Sequence, residues 1–185
     1  DIKFQRTTRQ QYDYSCGAAA LSTLLSHHYA TPTPEQDVFQ EMYEKGDKTK
    51  IHKEGFSLLD MQRFLAARGF RADGFKLPIE KLIAEKLPAI VLITDRGFNH
   101  FVVVKGFEDG RILIGDPSTG NRVVSMERFQ EIWRNKILFV IHSHKDGIAF
   151  NNPADWRGAP RAPLGTGMHQ DQLSASLPKF GPGDF

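Results

Sequence analysis

The chain has 185 residues, 40% of them hydrophobic and 25% charged, which suits one globular domain with room for a short appendage. A formal net charge of +2, with no Lys/Arg block interleaved with aromatics, argues against a nucleic-acid binder. A single cysteine excludes an internal disulfide, and the longest apolar run, Ala89 to Ile93, is far short of the roughly 20 residues a membrane helix needs.

Residues 1–9 read as extended or irregular. From Cys16 to about Tyr29, apolar positions recur at Ala19, Ala20, Leu24 and Tyr29, which predicts a helix with Cys16 at or near its N-terminus. Thr33-Pro34-Glu35-Gln36 reads as an N-cap, a first-turn proline and a capping-box glutamine, with Val38, Phe39 and Met42 buried on the helix that follows. Ser57-Leu58-Leu59-Asp60 starts another helix, with Met61, Phe64 and Leu65 on one face and Gly69 as its stop. A short helix is expected from Ile79 to Lys86.

The pattern then changes. Ala89 to Thr94, His100 to Phe107 and Arg111 to Gly115 are rich in Val and Ile, like buried strands. Asp109-Gly110 supplies a turn that folds the last two into an antiparallel hairpin. "SMERFQEIW" is a short helix and "ILFVIH" a last strand. Helices first and an antiparallel sheet afterwards is an α+β order. Residues 151–185 hold five of the ten prolines and few aliphatics. They read as a Pro/Gly-rich extension of a domain spanning 1–150, either a mobile tail or linker or a segment docked on its own domain or on a neighbouring chain, and their removal is expected to leave that domain folded.

Free cysteine is usually a small buried hydrophobe. A thiol at a helix N-terminus, however, feels the positive end of the dipole, which favours the thiolate. Gly17 and Ala18 leave space for a substrate backbone beside it. A thiolate nucleophile needs a base and a group to orient that base. Of seven histidines, His27 and His28 are expected to face solvent or the helix flank, His52 falls in a charged loop, His142 and His144 end the last strand, and His169 lies in the tail. His100 opens the strand "HFVVVKGF", and Asp116 closes its partner "RILIGD". A two-residue Asp109-Gly110 turn sets Asp116 opposite Val103; a bulge or a wider turn brings it closer to His100. On spacing alone, His100 can equally be a loop histidine and Asp116-Pro117 the start of a turn. Asp13, Asp95 and Asp109 show no metal-ligand spacing around a histidine pair, and no cofactor is expected.

"QQYDYSCGAAAL", "NHFVVVKGF" and "ILIGDPSTG", in that order, resemble the bacteriocin-processing, double-glycine peptidases, which are papain-like cysteine proteases often fused to export transporters. Their pattern is a Gln six residues before a Cys-Gly, a His opening a strand, and an Asp-Pro sixteen residues after that His; Gln10, Cys16, His100 and Asp116 match it. The resemblance covers approximately residues 5–142. It implies a papain-like fold, with Cys16 as nucleophile, His100 as base, Asp116 as its orienting partner and Gln10 as oxyanion donor. The chain carries no transporter segment and has the extra C-terminal extension. Standalone members with "DYSCG" occur beside bacterial secretion systems, including one that exports functional amyloid.

The resemblance thus implies a cysteine endopeptidase that cuts a peptide or secreted protein after small residues, of Gly-Gly or Gly-Ala type, in connection with bacterial export. The partners it implies are that substrate and components of a secretion system. Together with a chain that begins at Asp1, it sets a periplasmic or secreted location as the expectation. The same three residues would serve a papain-like acyl transfer, and a non-catalytic substrate-binding module is the third reading. Retention of Cys16, His100 and Asp116 together argues against that last one. Oligomeric state is not legible.

Overall fold

The computed structural model describes residues 2–8, 14–95 and 97–160. Four helices come first: α1 (Cys16–His28), α2 (Glu35–Lys45), α3 (Lys48–Glu54) and α4 (Leu58–Ala66). Then follow β1 (Ala72–Phe75), α5 (Ile79–Glu85), β2 (Ala89–Asp95), β3 (Phe98–Glu108), β4 (Arg111–Asp116), β5 (Gly120–Ser125), α6 (Met126–Ile132), β6 (Leu138–Ile141) and α7 (Pro153–Arg157). The strands make one antiparallel sheet in the order β1-β6-β2-β3-β4-β5. This is the expected α+β arrangement, helical first and antiparallel sheet afterwards. Among the described residues no helix is long and apolar enough to cross a membrane.

The sheet is covered on both faces, which is why its central strands read as continuous apolar runs. On one face Leu21, Leu24, Met61, Phe64 and Leu65 of α1 and α4 pack with Ile90, Val103 and Phe139. On the other, Ile79, Leu82, Phe129 and Ile132 of α5 and α6 pack with Val91, Val102, Val104 and Ile114. Neighbouring valines of β3 therefore serve opposite cores, as the two-residue period of a strand requires.

Several local signals act as expected. Ser57 caps α4 in a reciprocal capping box with Asp60, and Ser125 caps α6 by accepting from the Arg128 N–H. At α2 the cap differs from the sequence reading: Pro34 is the capping residue, and the Thr33 hydroxyl donates instead to the Thr31 carbonyl. The Thr33 carbonyl in turn accepts from Ser22 and Ser26 of α1, so tertiary contacts take the residue away from its capping role. The N-terminal segment, expected to be extended or irregular, contains a 3-10 turn, Ile2–Phe4. Helix α3 and strands β1 and β5 escape the pattern reading for a physical reason. Helix α3 buries only Ile51, and β1 contains an Asp-Gly pair that reads as a turn. His52 lies within α3 rather than in a loop, its ring 2.6 Å from the Tyr43 hydroxyl.

His28 departs furthest from expectation. It is 1% exposed, and its Nδ1–H donates to the Ala149 carbonyl at 2.6 Å. Burial, and next the charge of Lys105, push its pKa down to about 3; His27 is pushed down to about 4 by burial, Lys105 and Arg6. Below pH 6.5 the unfolded chain protonates His28 and the folded chain does not. Stability should therefore fall as pH drops from 6.5 towards 3, by about 1.4 kcal/mol per unit from this residue and so about 2 kcal/mol at pH 5. Urea titrations at pH 7 and pH 5 check this, and His28→Gln should flatten the difference.

Candidate active site

The hairpin of β3 and β4 brings the two candidate polar residues together. Its turn is the expected two-residue Asp109-Gly110, with φ of 52° and 74°, which suits an Asp-Gly pair. Glu108 pairs with Arg111, Phe107 with Ile112 and Gly106 with Leu113. The register then shifts, so that Val104 pairs with Ile114 and Val103 with Gly115. Lys105 is thus an extra residue in β3, a β-bulge. The consequence is one of parity. Without the bulge the turn would set Asp116 across from Val103, on the face opposite to His100. With it, Asp116 follows Ile114 on the face that carries Val102 and Val104, and His100 lies on that same face.

On that face the His100 ring bonds Asp116, Nε2 to Oδ2, at 2.9 Å. A carboxylate only accepts, so Nε2 carries the proton and Nδ1 is left as the acceptor nitrogen. Asp116 is 1% exposed and otherwise well supplied with donors. The Ser118 N–H and hydroxyl reach its Oδ1 at 2.8 and 2.7 Å. Arg122 reaches its Oδ2 at 3.3 Å while holding Asp95 at 2.8 Å. Burial pushes the Asp116 carboxyl up. The His100 bond, the Ser118 bonds and the Arg122 charge outweigh it and hold the group well below the usual carboxylate range. Asp116 is a fixed negative charge at any working pH.

Cys16 is the first residue of α1. Gly17 lets that end of the helix lie close to its neighbours, since a Cβ there would stand 3.1 Å from Phe56 Cβ. The thiol is 9% exposed, and the N–H of Phe101, the residue after His100, approaches Sγ at 3.5 Å. Burial pushes the thiol pKa up; the N–H groups of Phe101 and Gly17 pull it down and the Asp116 charge pushes it up again, with a net rise. The expected thiolate preference at a helix N-terminus is therefore overridden by desolvation.

Of the four candidate residues, His100 and Asp116 are in direct contact, and Cys16 meets the backbone beside His100. Gln10 lies outside the described residues. Sequence reasoning missed Arg122 and Asp95, which buttress Asp116. Nothing local marks them, whereas the Ser118 contact was legible as an Asp-x-Ser turn. Among the described residues, no group of three His, Cys, Asp or Glu is disposed to hold a metal ion.

Residues 5–145 match the model of the Peptidase C39 family. The chain belongs to that family. A curated relative, "Probable functional amyloid protease FapD" of Pseudomonas fluorescens, is 39% identical over 139 residues, 75% of this chain and 61% of the relative. The chain thus spans about three fifths of that protein's length. Among solved structures, a double glycine motif protease from an AMS/PCAT transporter, in complex with its leader peptide, is 29% identical with a TM-score of 0.60, covering 72% of this chain and 88% of the other. The peptidase domain of Streptococcus ComA shares the fold at 23% identity and a TM-score of 0.60, over 73% and 96% of the two chains. The C39 architecture is thus the papain-like one that the resemblance implied, in the α+β order read along the chain.

Proposed function

We propose that this C39 chain is a cysteine endopeptidase that cuts a peptide or secreted-protein substrate after small residues of the Gly-Gly or Gly-Ala type. The observation that carries the peptidase reading is the 2.9 Å bond from His100 Nε2 to buried Asp116, next to a cysteine at a helix N-terminus, and the kinship to a double glycine motif protease supports the small-residue preference. Cys16 is the nucleophile, His100 the general base, Asp116 the residue that orients it and Gln10 the oxyanion donor. Burial raises the Cys16 pKa, which favours the neutral thiol until a base acts on it. Nδ1 of His100 takes the Sγ proton as sulfur attacks the substrate carbonyl. The Gln10 amide and the Cys16 backbone N–H receive the oxyanion. Collapse breaks the C–N bond, and the imidazolium gives its proton to the leaving amine. Water then attacks the thioester with His100 again as base, and the thiol is restored. No metal or cofactor takes part.

The kinship to a protein named as a functional amyloid protease, and to one solved with a leader peptide, supports a substrate handled by a bacterial export system and a periplasmic or secreted place of action. Residues 1–150 are proposed as the peptidase domain and 151–185 as its extension, whose first part packs back on the domain through Asn151 and Asp155. The test is incubation with peptides containing Gly-Gly, Gly-Ala and bulky control junctions, with new termini mapped by mass spectrometry. Cleavage only after the small residues is the expected result. Added hydroxylamine separates hydrolysis from acyl transfer: transfer to the amine without water-derived product would replace the peptidase reading with an acyltransferase one.

Gln10 has its own signature. Its amide is uncharged, so Gln10→Ala should leave the rate of Cys16 alkylation unchanged. Loss of one oxyanion donor should lower kcat by about 10² to 10³-fold. Gln11→Ala should cleave like wild type, and a crippled Gln11→Ala would move the oxyanion role to that residue.

A further inference from the structure

The bulge that puts Asp116 on the His100 face is held by residues far from the candidate site. Lys105 is 0% exposed, a costly place for an ammonium unless it is paired. It donates to Asp155 of α7 at 2.8 Å, to the Thr7 hydroxyl at 3.1 Å and to the Arg6 carbonyl. Arg6 holds the same Asp155 oxygen at 3.0 Å. Asn121 of β5 donates to the Asp155 carbonyl and accepts from Thr7.

The backbone of the bulge is gripped as well. Strand β2 begins at Ala89, opposite Val104, so it does not cover β3 beyond that point. Asn151 takes its place there. Its N–H donates to the Lys105 carbonyl at 3.0 Å, its side-chain oxygen accepts from the Phe107 N–H at 2.6 Å, and its amide donates to the Phe107 carbonyl at 2.9 Å. A Cβ on Gly106 would overlap Asn151, so the residue between these contacts must be glycine.

We infer that Lys105, clamped by Asn151 and Asp155 of the C-terminal segment, is a positioning residue for the proposed peptidase. It fixes the bulge, and the bulge decides whether Asp116 shares a face with His100. A one-residue slip would carry Asp116 to the opposite face while leaving the apolar pairing of β3 and β4 largely possible in kind, since both faces of the sheet are buried. The buried ammonium makes that slip costly, because Lys105 has its partners only when it is the extra residue. This inference rests on the proposed peptidase reading, and its test includes a readout independent of turnover.

Lys105→Met in the full chain keeps the stem and removes the ammonium, while Arg6 still pairs Asp155. Expected are a folded protein, loss of the downfield proton resonance of the His100–Asp116 bond, and a kcat lowered by about 10- to 100-fold with KM little changed. Adding Asp116→Asn to Lys105→Met should cost almost nothing more, because both changes remove the same bond. Retention of the resonance and of kcat despite a lower melting temperature overturns the inference, as do losses that multiply in the double variant. If Lys105→Met does not fold, Asn151→Ala, which leaves the buried charges paired, is read by the same measurements. Should wild type cleave no substrate, the resonance and its loss in the variant still decide between a register lock and a merely structural ion pair.

Discussion

Cys16→Ala is expected to eliminate peptide cleavage while leaving the far-UV spectrum intact and stability within about 1 kcal/mol of wild type. The reason for the small structural effect is size. Alanine removes one sulfur from a side chain that the Phe101 N–H approaches at 3.5 Å, and Gly17, Ala18 and Ala19 beside it are undisturbed. The functional effect is total because no other thiol exists in the chain to form the thioester. Alkylation of the wild type separates this from a simple surface cysteine. With burial and the Asp116 charge raising its pKa, Cys16 should react with iodoacetamide more slowly at pH 6 than an unstructured cysteine peptide, and the rate should climb with pH. Residual turnover in Cys16→Ala would falsify the peptidase assignment of this residue.

Ending the chain at residue 150 is expected to leave it about 3–5 kcal/mol less stable than ending it after Pro160. The shorter form loses Asp155, the carboxylate that pairs the Lys105 ammonium, which is 0% exposed in the full chain. It also loses the Asn151 contacts along Lys105 and Phe107, and Asn152, which caps α7 by accepting from the Ala154 N–H. In the full chain burial pushes the Lys105 pKa down to about 8, with Asp155 opposing. The mechanism makes a second expectation sharp. Adding Lys105→Met to the 1–150 chain should recover part of the loss, because the unpaired charge is then gone. Urea titration of the four chains measures both effects. Equal stability of the 1–150 and 1–160 chains would mean that the contacts of Asn151 and Asp155 contribute nothing net.

Much of the candidate site could be read along the chain because its elements are local. A run of small and apolar residues makes α1 and puts Cys16 at its first position. A β-rich segment opens near His100, an Asp-Gly pair turns it back, and Asp116 ends the returning strand. These depend on helix periodicity, strand propensity and turn chemistry, which act over a few residues. The same local reasoning placed the helix start at Ser57 and the stop near Gly69.

Local sequence therefore sets the order of most elements, the helix-terminal position of the cysteine and the hairpin that carries His100 and Asp116. The tertiary structure alone decided which face Asp116 occupies, because a bulge of one residue inverts the parity of a strand and is held by groups some fifty residues away, Lys105 to Asp155. It also decided the state of the ionisable groups. His28 and Cys16 lie on a helix whose pattern shows nothing unusual, yet burial against the sheet and the Ala149 segment lowers one pKa and raises the other. Desolvation depends on what the rest of the chain packs around a group, and that is a property of the folded whole, not of its neighbours in sequence.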